Sequence, residues 1–244
     1  MSPVTDLVSA GAIAVKEWTH VAVRWDPATS TKSIFLNGAL DLARAGVSGT
    51  LGANPLPVLL AAEPTGAATS TSPFHGSLDE IRLWGTSRAN EQVLTHYSRR
   101  LTGAELGLAG VWSLNEGSGN LAFDDRGIAS ADGTLSAGMS PLNRVDGPAL
   151  GEPTSPQYAL TFNEIDEYIE VADKPALNPS GAATFEAWVQ PSGTGWRTIL
   201  SKGPAGYGVA IDDQNRLRFF IDGVPANALA SDRDMLPDVV LESR

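Results

Sequence analysis

The stretch FHGSLDEIRLW occupies residues 74–84, and its last eight residues are expected to form a β-strand. Side chains of a strand point alternately to its two faces. The residues expected together on one face are Leu78, Glu80, Arg82 and Trp84. This strand and the stretches on either side of it decide the fold class.

Toward the N-terminus, WTHVAVRW at 18–25 alternates with a period of two. Val21, Val23 and Trp25 fall on one face, so this strand is expected to be buried on at least one side. Further short strands between turn residues are expected at KSIFL (32–36), ALDLARA (39–45), LPVLLAA (56–62), GVWSL (110–114) and six stretches from YALTF (158–162) to LRFFID (217–222). Residues 90–100 have apolar side chains at helical spacing and predict one short helix.

Composition narrows the function classes. The net charge is −11, which disfavours nucleic acid, because such binding depends on Lys and Arg neutralising phosphates. The chain has no cysteine, so disulfides and thiolate catalysis are excluded. No stretch approaches the roughly 18 apolar residues of a membrane helix, so membrane insertion is not expected. The N-terminus lacks a basic region and makes a poor secretory signal.

Several short phrases occur together along the chain. They are VWSLNEGSG (111–119), DDRG (124–127), DGTL (132–135), LTFNEIDEYIEV (160–171), FEAWVQP (185–191), ILSKG (199–203), GYGVAI (206–211), WTHVA (18–22), NG (37–38) and FHGSLDEIRLW (74–84). Together they resemble the laminin-G-like, concanavalin-A-like jelly-roll family common in bacterial surface proteins. The resemblance implies an all-β fold, an antiparallel two-sheet jelly-roll sandwich with one short helix.

The order of these phrases departs from the family pattern. Residues 1–105 resemble the C-terminal half of a laminin-G-like sandwich, and residues 106–230 resemble the N-terminal half of one. The halves could dock as one permuted sandwich, two chains could exchange halves, or the chain could be part of a longer tandem array. Separate halves would expose apolar faces and unpaired edges, so we expect one permuted sandwich, as a monomer or a domain-exchanged dimer. Residues 231–244 are expected to form a poorly ordered tail.

Calcium is the one cofactor that the resemblance suggests. Hard cations need several carboxylate and carbonyl oxygens, and related modules often hold a structural calcium near the phrases that contain Asp79 and Asp166. If the halves dock, these two carboxylates could approach each other, with Asn163 and the Gly76 carbonyl nearby. The alternative is that Asp79 pairs with Arg82 or caps a turn, and that Asp166 is a turn residue.

A glycan surface is the second candidate site. Six tryptophans are present, and five of them fall in strands, where core packing is the expected role. Trp196, in the loop SGTGWRT (192–198), has glycines just before it and is the best candidate for a sugar-stacking ring. Tyr207 is the next candidate, and Arg197 and Asn163 could supply polar contacts.

Catalysis is the third possibility, because laminarinase-type glucanases share this fold. Glu164, Asp166 and Glu170 have even separations and could share one strand face, as two catalytic carboxylates require. However, Tyr168 stands where the family phrase needs a second Glu. We therefore expect a non-catalytic carbohydrate-binding or adhesion module, extracellular or on a cell surface, with a glycan or a surface protein as its partner. A glycoside hydrolase and a purely structural spacer are the alternatives.

Overall fold

The structure is a computed structural model that describes residues 6–47, 49–66, 69–127, 131–151, 157–203 and 206–221. The expected tail at 231–244 lies outside the described residues. The strands are β1 Asp6–Ala12, β2 Thr19–Asp26, β3 Thr31–Leu36, β4 Ala39–Arg44, β5 Val58–Leu60, β6 Glu63–Gly66, β7 Thr69–Thr71, β8 His75–Trp84, β9 Leu108–Trp112, β10 Leu121–Ala122, β11 Gly133–Leu135, β12 Arg144–Asp146, β13 Tyr158–Asn163, β14 Ile169–Val171, β15 Ala183–Pro191, β16 Arg197–Ser201, β17 Tyr207–Ile211 and β18 Arg216–Ile221. Helix α1 spans Asn90–His96, and two short 3₁₀ helices span Pro141–Asn143 and Pro175–Leu177.

Two eight-stranded antiparallel sheets form the sandwich, which confirms the predicted all-β class. The first sheet has the order β1-β18-β17-β16-β5-β14-β11-β10. The second has the order β12-β13-β8-β15-β2-β3-β4, and β9 also pairs with β8. Strands β6 and β7 form a separate two-stranded sheet. In the described part of the chain no helix is long and apolar enough to cross a membrane.

Strands from the two ends of the sequence alternate within both sheets. In the second sheet β15 lies between β2 and β8, and seven of its residues pair with β2, from Ala183 opposite Trp25 to Val189 opposite Thr19. In the first sheet β5 lies between β14 and β16. A single apolar cluster includes side chains from both sequence halves, among them Val23, Leu60 and Phe185. The early and late strands therefore close over one core.

A β-bulge in β8 corrects the predicted faces of this strand. Glu186 of β15 pairs with Arg82 and Trp188 pairs with Asp79, so two residues of β8 stand opposite one of β15. Glu80, inside the bulge, has a positive φ of 49°. The extra residue moves Leu78 onto the core side with Ile81, whereas Glu80 and Arg82 contact each other on the outer side of the sheet. The prediction that Leu78 shares a face with Arg82 is wrong for this reason.

Helix α1 covers part of the outer face of the second sheet. It is shorter than the helix predicted over 90–100. In its first turn the side chain of Gln92 accepts, through Oε1, a hydrogen bond from the backbone N–H of Ala89. Val93 packs against Ala22 and Phe35 of the sheet. Strand β2 is consequently buried on both faces, although its inner face alone carries the main core.

Candidate functional site

Tyr207 cannot serve as the exposed ring that the sequence suggested. Its side chain is 1% exposed, and its ring packs 4.5 Å from the ring of Phe185. The hydroxyl donates a hydrogen bond to the carbonyl oxygen of Leu177, and burial raises the pKa of the phenol. Because Tyr207 alternates with Val209 on the inner face of β17, it is a core residue, and the prediction that it contacts a ligand is wrong.

Arg197 is also buried, so its predicted ligand contact is wrong as well. Its guanidinium donates to the carbonyl oxygens of Ser192 and Gly193 and to Oδ1 of Asn215. These bonds tie the chain before β16 to the turn before β18. Arg197 therefore shapes a loop and does not present donors to solvent.

Trp196 is half-buried, in the loop between β15 and β16. The guanidinium of Arg218 lies 5.9 Å from the centre of its ring. The flanking Gly195 has a φ of 92°, a conformation that glycine adopts without strain. Among the three predicted ligand residues, Trp196 alone presents part of its side chain at the surface.

The loop of Trp196 joins two other loops at one end of the sandwich. The backbone N–H of Lys16 donates to the carbonyl oxygen of Pro191, and the backbone N–H of Ser192 donates to the carbonyl oxygen of His75. Nδ1 of His75 lies 3.0 Å from Oε2 of Glu164. We call the surface formed by residues 13–18, 163–168 and 191–197, with His75, the loop end.

Trp18 also belongs to the loop end. This position was not predicted from the sequence. Core packing was expected for Trp18 because the predicted strand 18–25 includes it, yet it stands in the turn before β2 and is half-buried. Lys16 and Glu17 beside it are exposed, as are the apolar Val15 in the same loop and Ile165 in the loop 163–168. One signal could have identified Trp18 as a loop residue. It is the first residue of the alternating stretch, and the ends of such a stretch often belong to the adjoining turn.

The predicted calcium set is not assembled. Asn163 pairs with His75 of β8 and its Nδ2 lies 3.3 Å from Oδ1 of Asp166, so these two residues are neighbours near Gly76. Asp79 lies three residues after Gly76 in β8, and the rise of a strand puts these two residues about 10 Å apart. The two aspartates therefore cannot bind one ion together. No group of three or more metal-ligating His, Cys, Asp or Glu side chains occurs within the described ranges.

Asp79 has surroundings that suit a neutral acid better than a calcium ligand. Its side chain is fully buried and faces Gly147. Burial raises the pKa of this carboxyl well above its usual value, and the neighbouring Glu80 adds to the effect. Hard cations prefer ionised carboxylates, so Asp79 is poorly suited to one.

The three carboxylates of the glucanase hypothesis do not share a strand face. Strand β13 of the second sheet ends at Asn163, and Glu164 has a positive φ of 66° in the turn that follows. Asp166 lies in the same turn, whereas Glu170 lies in β14 of the first sheet. Because residues 164–168 connect the two sheets, the even spacing does not place these side chains on one surface.

A buried ionic cluster lies under α1 on the outer face of the second sheet. Oε1 of Glu186 accepts a hydrogen bond from Arg88 at 2.5 Å, and Oε2 lies 3.4 Å from Arg82. Burial by itself raises the pKa of Glu186, but contact with His20 and the charges of both arginines outweigh it and lower the pKa to about 2. Arg82 also donates to the carbonyl oxygen of His96 at the end of α1. The cluster therefore fastens the helix to the sheet.

Beside this cluster, a cavity of about 220 Å³ opens to solvent. We call it the α1 pocket. Its lining includes Trp84, Arg88, Gln92, His96, Glu105 and Leu106. The Arg88 guanidinium lies over the Trp84 ring, 4.0 Å from its centre. Sequence reasoning did not identify this pocket, because it combines the outer face of β8 with two segments that flank a helix.

Comparison with known proteins bears on the fold and on the class of function. Residues 2–94 match the family model described as the concanavalin A-like lectin/glucanases superfamily. This confirms the resemblance over that part of the chain and supports a lectin-like or binding module in general. No curated protein and no solved structure matches the chain.

Proposed function

We propose that this chain is a non-catalytic carbohydrate-binding module of an extracellular or cell-surface protein, and that it binds sugar at the loop end. The observation that carries the proposal is the position of Trp196, half-buried in a loop that contains Gly193 and Gly195, at an end of the sandwich where polar side chains are exposed. An indole ring gives a flat apolar surface on which the C–H face of a sugar ring can pack. Binding residues are commonly found on loops held by a rigid scaffold.

The loop end also offers the polar groups that a sugar needs. Asn163, Glu164 and Asp166 are exposed, and Trp18 provides a second half-buried indole in an adjoining loop. Carboxylates accept hydrogen bonds from hydroxyls, and an amide both accepts and donates them. The net charge of −11 favours a neutral glycan over a polyanion.

The state of the buried acids supports a non-catalytic role. A general acid or base must reach the reacting group, at hydrogen-bond distance or through one water. Glu80 and Glu186 lie on the outer face of the central strands, but both are buried and ion-paired with Arg82. Carboxylates that are buried and paired in this way stabilise the fold and the attachment of α1, and they are not accessible to a substrate.

A glycan array followed by calorimetry tests the proposal. We expect binding to at least one neutral glycan, and we expect Trp196→Ala to weaken it about tenfold or more, because a stacked aromatic ring contributes on the order of 1–2 kcal/mol. The matched control is Leu94→Ala, which removes an exposed apolar side chain from α1, outside the loop end. Failure of every arrayed glycan to bind, or equal loss in both variants, would overturn the proposal.

A further inference from the structure

Trp84, which lines the α1 pocket, has a buried hydrogen-bond donor without a partner among the described residues. Trp84 is 2% exposed, and its Nε1 makes no hydrogen bond within the part of the chain that the structure describes. Buried N–H groups nearly always have a partner, because leaving one unpaired loses the hydrogen bonds it made to water. The buried indole nitrogen of Trp112, by contrast, donates to the carbonyl oxygen of Ala131.

The same pocket contains an acceptor with spare capacity. Oε1 of Glu105 accepts hydrogen bonds from the backbone N–H and the hydroxyl of Thr102, whereas Oε2 has no partner among the described residues. Partial burial raises the pKa of Glu105, but the donors around Thr102 outweigh it and lower the pKa. The side chain is therefore an ionised carboxylate with a free oxygen.

The charges around the pocket disfavour an anion. Arg88 is the cation of the lining, and its guanidinium is already engaged with Glu186, with the carbonyl oxygen of Gln92 and with Nδ1 of His96. Its flat face is covered by the ring of Trp84. The remaining charge in the lining is the carboxylate of Glu105.

We propose that the α1 pocket is a second binding site, which takes one neutral hydroxylated ring, such as a terminal sugar residue. A hydroxyl group both accepts and donates, so one ligand can satisfy the Trp84 N–H and the free oxygen of Glu105. An ammonium group could satisfy Glu105 but cannot accept from Trp84. The cavity, at about 220 Å³, is smaller than the roughly 300–1,000 Å³ of drug-sized pockets, which suits a single ring. Leu106, 99% exposed at the rim, can pack against its apolar face.

The indole N–H signals of protein labelled with ¹⁵N-tryptophan test this proposal directly. The chain gives six such signals, and the one that Trp84→Phe removes is that of Trp84. The probes are the methyl glycosides of glucose, galactose, mannose and N-acetylglucosamine, with acetate and methylammonium as charged controls. We expect one or more glycosides to shift the Trp84 signal with a dissociation constant of about 1 mM, as small ligands typically bind.

Two variants and one control separate a binding role from a structural one. Trp84→Phe removes the N–H together with one ring of the indole, so we expect about tenfold weaker binding, accompanied by a loss of thermal stability from the smaller side chain. Glu105→Gln keeps an acceptor for Thr102 and replaces the free oxygen with a donor, so it should also weaken binding. Trp188→Phe is the matched control, because its N–H donates to the carbonyl oxygen of Tyr97. We expect it to lower stability and to leave binding at the α1 pocket intact.

The outcomes distinguish this site from the loop end. If no glycoside shifts the Trp84 signal at about 100 mM, a hundredfold above the expected constant, the second site is overturned. Glycoside shifts at Trp196 or Trp18 alone would also overturn the second site, and they would leave the proposed function standing. A stronger response to acetate or to methylammonium would overturn the neutral ligand class. Retention of the Trp84 response in Trp196→Ala would show that the two sites are independent.

Discussion

Nε2 of His20 lies 3.5 Å from Oε2 of Glu186, and both side chains are almost fully buried. His20 comes from β2 and Glu186 from β15, so the contact joins the early and the late strands of the second sheet. Burial lowers the pKa of His20, an effect that the nearby carboxylate only partly offsets. The imidazole is therefore neutral at pH 7, while Glu186 carries its charge opposite Arg82 and Arg88.

Removal of Glu186 should be strongly destabilising. Glu186→Ala leaves two buried guanidinium groups without their carboxylate, and breaking a buried ion pair in this way typically costs about 3–5 kcal/mol. Urea denaturation at pH 7 measures the change. The control is Glu164→Ala, which removes a side-chain contact with His75 in which both groups are 40% exposed, and it should cost less than about 1 kcal/mol. Similar losses in the two variants would contradict the importance of the buried cluster.

His20 should make the fold sensitive to mild acid. Its pKa in the folded protein lies below the usual 6.5, so the unfolded chain binds more protons between these two values. The contribution of His20 to stability is therefore complete above about pH 6.5 and falls as the pH drops, by at most about 1.4 kcal/mol per pH unit. In His20→Gln this contribution is absent, so the stability of the variant relative to the wild type should rise as the pH falls from 6.5 to 4.5. Below the usual 4.5 of a glutamate, the lowered pKa of Glu186 should cause a further fall in both proteins.

Glu63 should act in the opposite direction. It is 1% exposed, neither carboxyl oxygen has a partner among the described residues, and burial raises its pKa to about 7. Between pH 4.5 and 7 the folded protein binds the extra proton, so stability falls as the pH rises through this range.

Glu63→Gln removes this dependence and should raise stability at pH 8 by roughly 2 kcal/mol, with little change at pH 4.5. Thermal melts at the two pH values measure the difference. Glu91→Gln, an exposed position on α1, serves as the control and should give the wild-type profile. A loss of stability at pH 8 in Glu63→Gln would contradict the assignment of a buried, unpaired carboxyl.

The sequence pattern predicted the strands well, because a period of two is a local signal. The alternation of Val21, Val23 and Trp25 placed these side chains correctly in the core. The bulge at Glu80 was not predictable, because a positive φ at a glutamate has no sequence signature. One extra residue there reversed the face expected for Leu78.

The candidate site was predicted less well. The alternation of Tyr207 with Val209 in fact indicated an inward ring, so choosing Tyr207 as a candidate sugar-binding ring overlooked a signal that the sequence contained. The burial of Arg197 depends on carbonyl groups of a loop and on Asn215 in a separate turn, which become neighbours only in the folded chain. The α1 pocket depends on tertiary packing in the same way.

Gly76 should be essential where β8 passes β15. Its φ is 133°, and a Cβ added to it would lie 2.2 Å from the carbonyl oxygen of Gln190. Gly76→Ala combines backbone strain with a clash against backbone, so we expect a loss of about 3 kcal/mol or more. Gly181→Ala is the matched control, because nothing lies within 4 Å of the added Cβ. Denaturant midpoints would show the contrast, and equal stability of the two variants would contradict the register at Gly76.

Separate expression of residues 1–105 and 106–244 should test the interleaved sheets. The break falls beside Leu106, which is 99% exposed, so no buried element is cut. Neither fragment contains a complete sheet, because β5 lies between two late strands and β15 lies between two early ones. We expect each fragment alone to lack a cooperative melt, and their mixture to recover the near-ultraviolet circular dichroism of the intact chain.

Light scattering should give the intact chain as a 25.6 kDa monomer, whereas a double mass would indicate exchange of halves between two chains. A cooperative melt of either fragment as a monomer would contradict the shared core, because an isolated half would then have to bury its own apolar face.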